Sequence, residues 1–317
     1  MTYFKQPLRL LAFSLFAATS LLFTSCKKDE PAVVVPVTNT ITDIVLKNND
    51  FTLLRAAVVR AGLADALKVG QLTVFAPNDA AFKAAGYADV AAINAIPVAT
   101  LTSILQYHVI NAKVLASAIP AAANTPQQSL LTTNGLLYVS KSGSNVSVNG
   151  KKVITADVAA DNGVIHVIDG LLLPPTGDVV AAVVADPGNF SLLQAAVLRA
   201  GIAGTLTSAT AITVFAPTNQ AFTDAGFTAA AIAAATPAAL TRILTYHVVP
   251  GRVFSANLTD GVTPATLLGS TVKVNVGTGV TVTGQGNGTN ASTVVKADVL
   301  TTNAVIHVIN RVLLPPP

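Results

Sequence analysis

Thr73-Val-Phe-Ala-Pro-Asn-Asp-Ala-Ala-Phe82 is written again 140 residues further on, as Thr213-Val-Phe-Ala-Pro-Thr-Asn-Gln-Ala-Phe222. Two more pairs keep their order and nearly their spacing around this anchor. Leu105-Gln-Tyr-His-Val109 returns as Leu244-Thr-Tyr-His-Val248, and Val164-Ile-His-Val-Ile168 as Val305-Ile-His-Val-Ile309. Together the copies hold all 4 histidines of the chain. A period this long is a duplicated domain, too long for one turn of a solenoid. Positions that superpose within one chain report which residues a shared backbone requires.

Each anchor reads as a short strand, Leu72 to Ala76 in the first copy, ended by Pro77. A helix follows, which Asn78 or Thr218 caps by accepting backbone N–H bonds, and which buries Ala81-Phe82 or Ala221-Phe222 in its first turn. Ahead of the anchor, the run from Phe51 to Ala61 places Phe51, Leu54 and Val58 on one helical stripe, with Gly62 as a left-handed stop. Phe190 to Ala200, followed by Gly201, repeats this. A further helix starts near Pro97 and Pro237, where the missing N–H would have no intrahelical partner.

The later half of each unit changes period. Leu136 to Ser140, Val146 to Val148, Val153 to Thr155 and Val164 to Leu173 are β-rich runs, broken by the tight-turn pairs Asn149-Gly150 and Asn162-Gly163. Helices first and strands later, without regular alternation, give an α+β class. The second unit has Asn303-Ala304 in place of Asn162-Gly163. If that turn needs a positive φ at its second position, alanine costs about 1 kcal/mol there, and Ala304→Gly should stabilise the second domain.

At 317 residues the chain has room for two domains and a targeting segment. Residues 1 to 25 read as an export signal, with Lys5 and Arg9 ahead of an apolar run from Leu10 to Phe23 that is short for a membrane span. The only cysteine, Cys26, follows in Leu22-Phe-Thr-Ser-Cys26, which resembles a bacterial lipobox and makes Cys26 the expected lipid attachment site. Residues 26 to 40 then form an extended tether. The first domain spans residues 41 to 175, the second 178 to 317, with a very short linker at Thr176-Gly177. By resemblance, Lys27 after the cysteine points to the outer membrane, with periplasmic and surface display both open.

Only 11% of residues are charged, and the net charge is +4. Removing Lys5 and Arg9 leaves 17 basic residues of 19 against 15 acidic ones, so nothing marks a nucleic-acid partner.

The three repeated motifs resemble those of the fasciclin (FAS1) family. Thr73 to Phe82 and Thr213 to Phe222 resemble its first block, Tyr107-His108 and Tyr246-His247 its central Tyr-His motif, and Gly163 to Pro175, with the run ending at Pro316, its closing block. The resemblance implies two tandem fasciclin-like domains, each a compact β-sandwich with helices packed along one side. It also implies cell adhesion or extracellular recognition, through a protein or polysaccharide partner. Asn78 and Asn310-Arg311 depart from the usual residues, and no Arg-Gly-Asp triplet is present. Tyr107, His108, Tyr246 and His247 match a motif tied to integrin binding in some animal relatives, and are candidate adhesion residues. The plainer reading is that they brace the core.

Other chemistry is sparse. Asp157, Asn162 and His166 are echoed by Asp298, Asn303 and His307, a set that suggests a metal site or His-Asp pair. Each histidine nonetheless lies in an apolar run suited to a buried, hydrogen-bonded ring, and a structural zinc site wants four donors. Asp79 is matched by Asn219, so a titrating carboxylate is not required there, which favours capping over acid–base work. No G-x-S-x-G elbow, H-E-x-x-H pair or phosphate loop occurs. Gly277, Gly279, Gly284, Gly286 and Gly288 read as a long flexible hairpin. The sequence therefore points to a non-catalytic chain with no cofactor and no metal. An envelope structural or small-ligand-binding protein is the alternative.

Overall fold

A computed structural model describes residues 39–317. The export signal, Cys26 and nearly all of the tether lie outside the described residues.

The first domain carries helices α1 Ile41–Lys47, α2 Thr52–Arg60, α3 Asp79–Ala84, α4 Val90–Ala95 and α5 Val98–Tyr107. Its strands are β1 Leu72–Pro77, β2 Val109–Ile110, β3 Thr125–Gln128, β4 Leu136–Ser142, β5 Asn145–Val148, β6 Lys151–Ala160 and β7 Gly163–Ile168. The second domain carries α6 Val179–Ala185, α7 Pro187–Ala200, α8 Ala203–Ser208, α9 Asn219–Asp224, α10 Ala229–Ala234 and α11 Pro237–Tyr246. Its strands are β8 Ile212–Pro217, β9 Val248–Pro250, β10 Val272–Val276, β11 Val280–Gly284, β12 Ser292–Leu300 and β13 Ala304–Ile309.

The repeated anchor is the strand on which each domain is built. All six residues of β1 are buried, as are all six of β8. Both faces are covered, so the run is apolar where a half-exposed strand would alternate, except at Thr73 and Thr213, whose buried hydroxyls donate to Ala112 O and Gly251 O. Leu72, Val74 and Ala76 face the helices, while Phe75 points into a second core, as the two-residue period of a strand requires. β1 pairs in parallel with β7 from Leu72↔Gly163 to Pro77↔Ile168, and β8 with β13 from Ile212↔Ala304 to Pro217↔Ile309.

Each sandwich is one sheet curled upon itself. In the first domain the strand order is β2-β1-β7-β6-β5-β4-β3. The β6–β7 ladder shifts register twice between Val153 and Val158, and such bulges bend a strand. Phe75, Ile110 and Ile168 from one half of the sheet thereby share a core with Leu137, Val139 and Val148 from the other. The helices cover the outer face, with Leu54, Val58, Phe82, Ile93 and Leu101 against Val74 and Ile165. The second domain repeats this with the order β10-β11-β12-β13-β8-β9. The α+β class and the helix-lined sandwich both stand.

Local signals explain the helix ends. Asn78 Oδ1 accepts from Ala81 N–H at 2.8 Å and Thr218 Oγ1 from Ala221 N–H at 3.2 Å. Gly62 and Gly201 stop α2 and α7 with φ of +67° and +72°. α1 goes unread in the sequence although Thr40 and Asp43 form a capping box at its start.

One turn is as expected and one is not. Asn149 and Gly150, at φ +47° and +80°, are the central pair between β5 and β6, the geometry of a type I′ hairpin. In the other turn Ala160 pairs with Gly163, so its central residues are Asp161-Asn162, and Thr302-Asn303 take that place in the second domain. Ala304 is the first residue of β13, with its methyl fully buried and no positive φ. The expectation that Ala304→Gly stabilises the second domain is therefore corrected. The register is set by the asparagine, which turns inward. Asn162 accepts from Ile41 N–H at 2.9 Å and donates to Leu67 O at 2.8 Å; Asn303 accepts from Val179 N–H at 3.0 Å and donates to Leu206 O at 2.8 Å.

The glycine cluster is also corrected. Gly277 and Gly279 close the β10–β11 hairpin, but Gly286 N–H donates to Leu314 O at 2.9 Å, and Asn287 exchanges bonds with Val312 and Leu314. That second part is pinned to the chain's closing residues because glycine lets the two backbones approach.

Candidate functional site

The Tyr-His motif ends α5 and α11, where the helix must hand its last carbonyls to a partner. Tyr107 and Tyr246 are fully buried. Tyr107 Oη donates to Leu136 O at 2.8 Å and accepts from Asn149 Nδ2 at 2.9 Å. Tyr246 Oη donates to Thr271 O at 2.7 Å and accepts from Gln285 N–H at 2.8 Å. Burial pushes both phenols above their ordinary pKa. Each hydroxyl thus ties the end of a helix to the far half of the curled sheet.

His108 and His247 complete the helix ends. The Nδ1 of His108 lies 2.8 Å from Ile104 O, and Leu172 N–H donates to its Nε2 at 3.0 Å. His247 has the same pair in Ile243 O at 2.8 Å and Leu313 N–H at 2.9 Å. A backbone N–H only donates, so Nε2 is the acceptor and Nδ1 carries the proton. Desolvation lowers both rings to about 4.

His166 and His307 use the opposite tautomer. Their Nε2 atoms lie 2.9 Å from Val114 O and Val253 O, while Asp157 N–H and Asp298 N–H donate to Nδ1 at 3.2 and 3.4 Å. The rings rest near Phe75 and Phe215, centroids 5.6 and 5.7 Å apart. Burial holds His307 below its ordinary pKa against the nearby Asp298 carboxylate. Because Nδ1 receives a backbone N–H, no His-Asp proton relay exists. The carboxylates turn elsewhere, Asp157 to Ala116 N–H and Asp298 to Ser255 N–H, at 2.8 and 2.7 Å. Among the described residues no group of three or more His, Cys, Asp or Glu is placed to hold a metal.

All four candidate adhesion residues are therefore interior, and their polar atoms are engaged within the domain. Direct contact with a partner through Tyr107, His108, Tyr246 or His247 is not what this geometry offers. Asp79 and Asn219 lie outside any acid–base arrangement as well. Their Oδ1 atoms accept from Leu53 N–H and Leu192 N–H at 2.8 and 2.9 Å, capping α2 and the Phe190 turn of α7 from a distance.

What the repeat did not disclose is a seam between the two domains. Arg252 stacks over the Tyr138 ring, its Cζ 4.8 Å from the centroid, and Phe254 lies 6.1 Å from the same ring. Asn257 Nδ2 donates to Asn124 Oδ1 at 3.1 Å and to Ser140 Oγ at 3.0 Å. Lys151 Nζ approaches the buried Asp298 carboxylate at 3.9 Å, beside the Asn149-Gly150 turn. Residues on the two sides are not equivalent by the repeat, so self-comparison could not find them.

A family model described as "Fasciclin domain" matches the chain twice, at residues 49–174 and 188–315. Transforming growth factor-beta-induced protein ig-h3 of Sus scrofa is 35% identical over 195 residues, which are 59% of this chain and 27% of that protein. The chain thus spans about a quarter of that relative's length. Protein sll1483 of Synechocystis is 40% identical over 139 residues, 43% of this chain and 74% of that protein. A solved FAS1 domain pair from the insect cell adhesion molecule Fasciclin I is 21% identical, with a TM-score of 0.40, and covers 83% of this chain and 97% of its own. No helix of the described residues is long and apolar enough to cross a membrane.

Proposed function

This chain belongs to the fasciclin-domain family, and from that membership we propose that it is a lipid-anchored, non-catalytic tandem module acting in cell adhesion or extracellular recognition. Its partners are the membrane, through lipidated Cys26, and an extracellular protein or polysaccharide. One observation carries the non-catalytic part. The histidines are buried, and each ring nitrogen already has a backbone partner, so no imidazole is free to move a substrate proton. Recognition then falls to the exposed loops.

The test has two arms. Protease applied to intact cells digests the protein without lysis if it is displayed outward. The purified chain binds a matrix protein, glycan or cell surface above background, and Tyr107→Phe, if it folds, leaves that binding intact. Failure to bind any of these surfaces overturns the adhesion reading. Unchanged membrane partitioning in Cys26→Ala overturns the anchor.

A further inference from the structure

The face that the second domain turns toward the first has a counterpart on the first domain itself. Residues 112–118 and 251–257 align without a gap, because Thr73 Oγ1 donates to Ala112 O and accepts from Val114 N–H, as Thr213 Oγ1 does with Gly251 O and Val253 N–H. Lys113 therefore stands where Arg252 is, and Leu115 where Phe254 is. Asp157 matches Asp298, each accepting from the backbone N–H of the residue that follows, Ala116 or Ser255. Charge sign and apolar character are kept at all three. What differs is cover: Phe254 is fully buried and Leu115 is 41% exposed, while the carboxylate side chains are 3% exposed at Asp298 and 40% at Asp157.

The seam shows what such a face receives, and it is a β-hairpin. Arg252 lies over the ring of Tyr138 on β4, Phe254 packs beside that ring, and the Asp298 carboxylate rests against Gly150 with Lys151 Nζ at 3.9 Å. A Cβ at position 150 would collide with that carboxylate, so glycine is what lets the turn come this close. The first domain presents the same set to water, a cation able to cover a ring, an aliphatic side chain beside it and a carboxylate for a lysine. The bond to Ala116 accounts for Asp157 being retained. Lys113 and Leu115 are exposed and lie outside both cores of their domain, so packing does not account for them.

We propose that this face of the first domain docks the β-hairpin of a fasciclin-like domain from another protein, one with an aromatic ring in the place of Tyr138 and a Gly-Lys turn in the place of Gly150-Lys151. The chain's own second domain does not meet that description. Tyr107 Oη donates to Leu136 O and Tyr246 Oη to Thr271 O, so Lys273 takes the place of Tyr138. Val139 pairs with Val148 as Val274 pairs with Val282, which puts Gln285 in the place of Lys151. Lys113 would then meet a like charge and Asp157 would have no lysine, so a second copy of this chain is disfavoured. Ala118 stands where Asn257 is, and the bonds that Asn257 makes to Asn124 and Ser140 have no counterpart on this face. The proposal rests on the recognition reading and names the kind of protein recognised.

The experiment joins a second copy of residues 39–175 ahead of residue 40 through Thr176-Gly177. Asp161 N–H donates to Asn39 O as Thr302 N–H donates to Gly177 O, so this junction holds the added hairpin to the middle domain as the native linker holds the first domain to the second. Ellipticity per residue matching that of the unaltered chain shows the added copy folded, and small-angle scattering should then give one rigid three-domain body. Leu115→Asp or Lys113→Glu in the middle copy, both at exposed positions, should release the added domain and raise the radius of gyration. A three-domain chain whose added domain swings freely, with scattering that neither variant changes, overturns the proposal. Concentration-dependent association of the unaltered chain that Leu115→Asp abolishes also overturns it, in favour of a second copy as occupant. Binding of the unaltered chain to a matrix protein or glycan is measured separately, so failure of this docking is distinguishable from failure of adhesion.

Discussion

The guanidinium of Arg252 in the second domain lies over the phenol ring of Tyr138 in the first, 4.8 Å from its centre. Arg252 is itself held by its own domain, donating from Nη1 to Thr210 O at 3.2 Å and from Nη2 to Thr302 O at 2.6 Å. A cation fixed in this way against a ring contributes about 0.5–2 kcal/mol, depending on how dry the contact is. Tyr138→Ala removes the ring from Arg252 and Phe254 while leaving the arginine's own bonds in place. Scanning calorimetry of the unaltered chain should show one transition, and Tyr138→Ala combined with Asn257→Ala should split it into two. Two transitions already present in the unaltered chain would show that the seam does not couple the domains.

The side-chain oxygens of Asn219 and Asp79 accept the equivalent backbone bond in the two domains, and Asn219 Nδ2 also donates to Pro187 O and Gly188 O. Asp79→Asn should therefore change unfolding free energy by less than about 0.5 kcal/mol, whereas Asp79→Ala, which leaves Leu53 N–H without its partner, should destabilise by about 1 kcal/mol. Urea midpoints of the three proteins decide it. Equal losses in both variants would mean that charge, not the accepted hydrogen bond, is what α2 uses.

Ala304→Gly should destabilise the second domain by about 1 kcal/mol, through added freedom in the unfolded strand and a lost buried methyl. Gly163→Ala should do more damage to the first. A Cβ there would stand 2.0 Å from Leu72 O, in the parallel ladder itself. Thermal midpoints of the two variants, read against the unaltered chain, test both directions.

Acid should loosen the fold in a defined window. His108 and His247 are held at about 4, below their ordinary 6.5. Between those values the unfolded chain binds more protons than the folded chain, so stability rises with pH. Their contribution is complete above about pH 6.5 and is lost as pH falls toward 4, on the order of 3 kcal/mol for each ring. Denaturant titrations at pH 7, 5.5 and 4.5 should give steadily lower midpoints. A flat profile would mean that these rings take up protons without breaking the bonds from Leu172 and Leu313.

Much of the fold was legible because one backbone demands the same words twice. Phe75 and Phe215, Asn78 and Thr218, Gly62 and Gly201 sit where a single geometry requires an apolar filler, a cap and a left-handed stop. The turn register was not legible. Asn162 can be read either as the left-handed half of a tight turn or as an inward clamp, and only the positions of Ile41 and Leu67 decide between them. The seam was hidden for a different reason. Tyr138 and Arg252 belong to different copies and different places in the repeat, so comparing the copies removes the signal.

The parallel pairing of β1 with β7, and of β8 with β13, means that each domain's first strand waits for its last. Leu72 meets Gly163 and Ile212 meets Ala304 only after about ninety intervening residues have been made. Such distant closure slows folding and leaves a long interval in which a nascent chain shows an apolar ribbon without its neighbour. Neither domain can zip shut before its own closing strand has been made, so each half commits to its fold only when its final segment arrives.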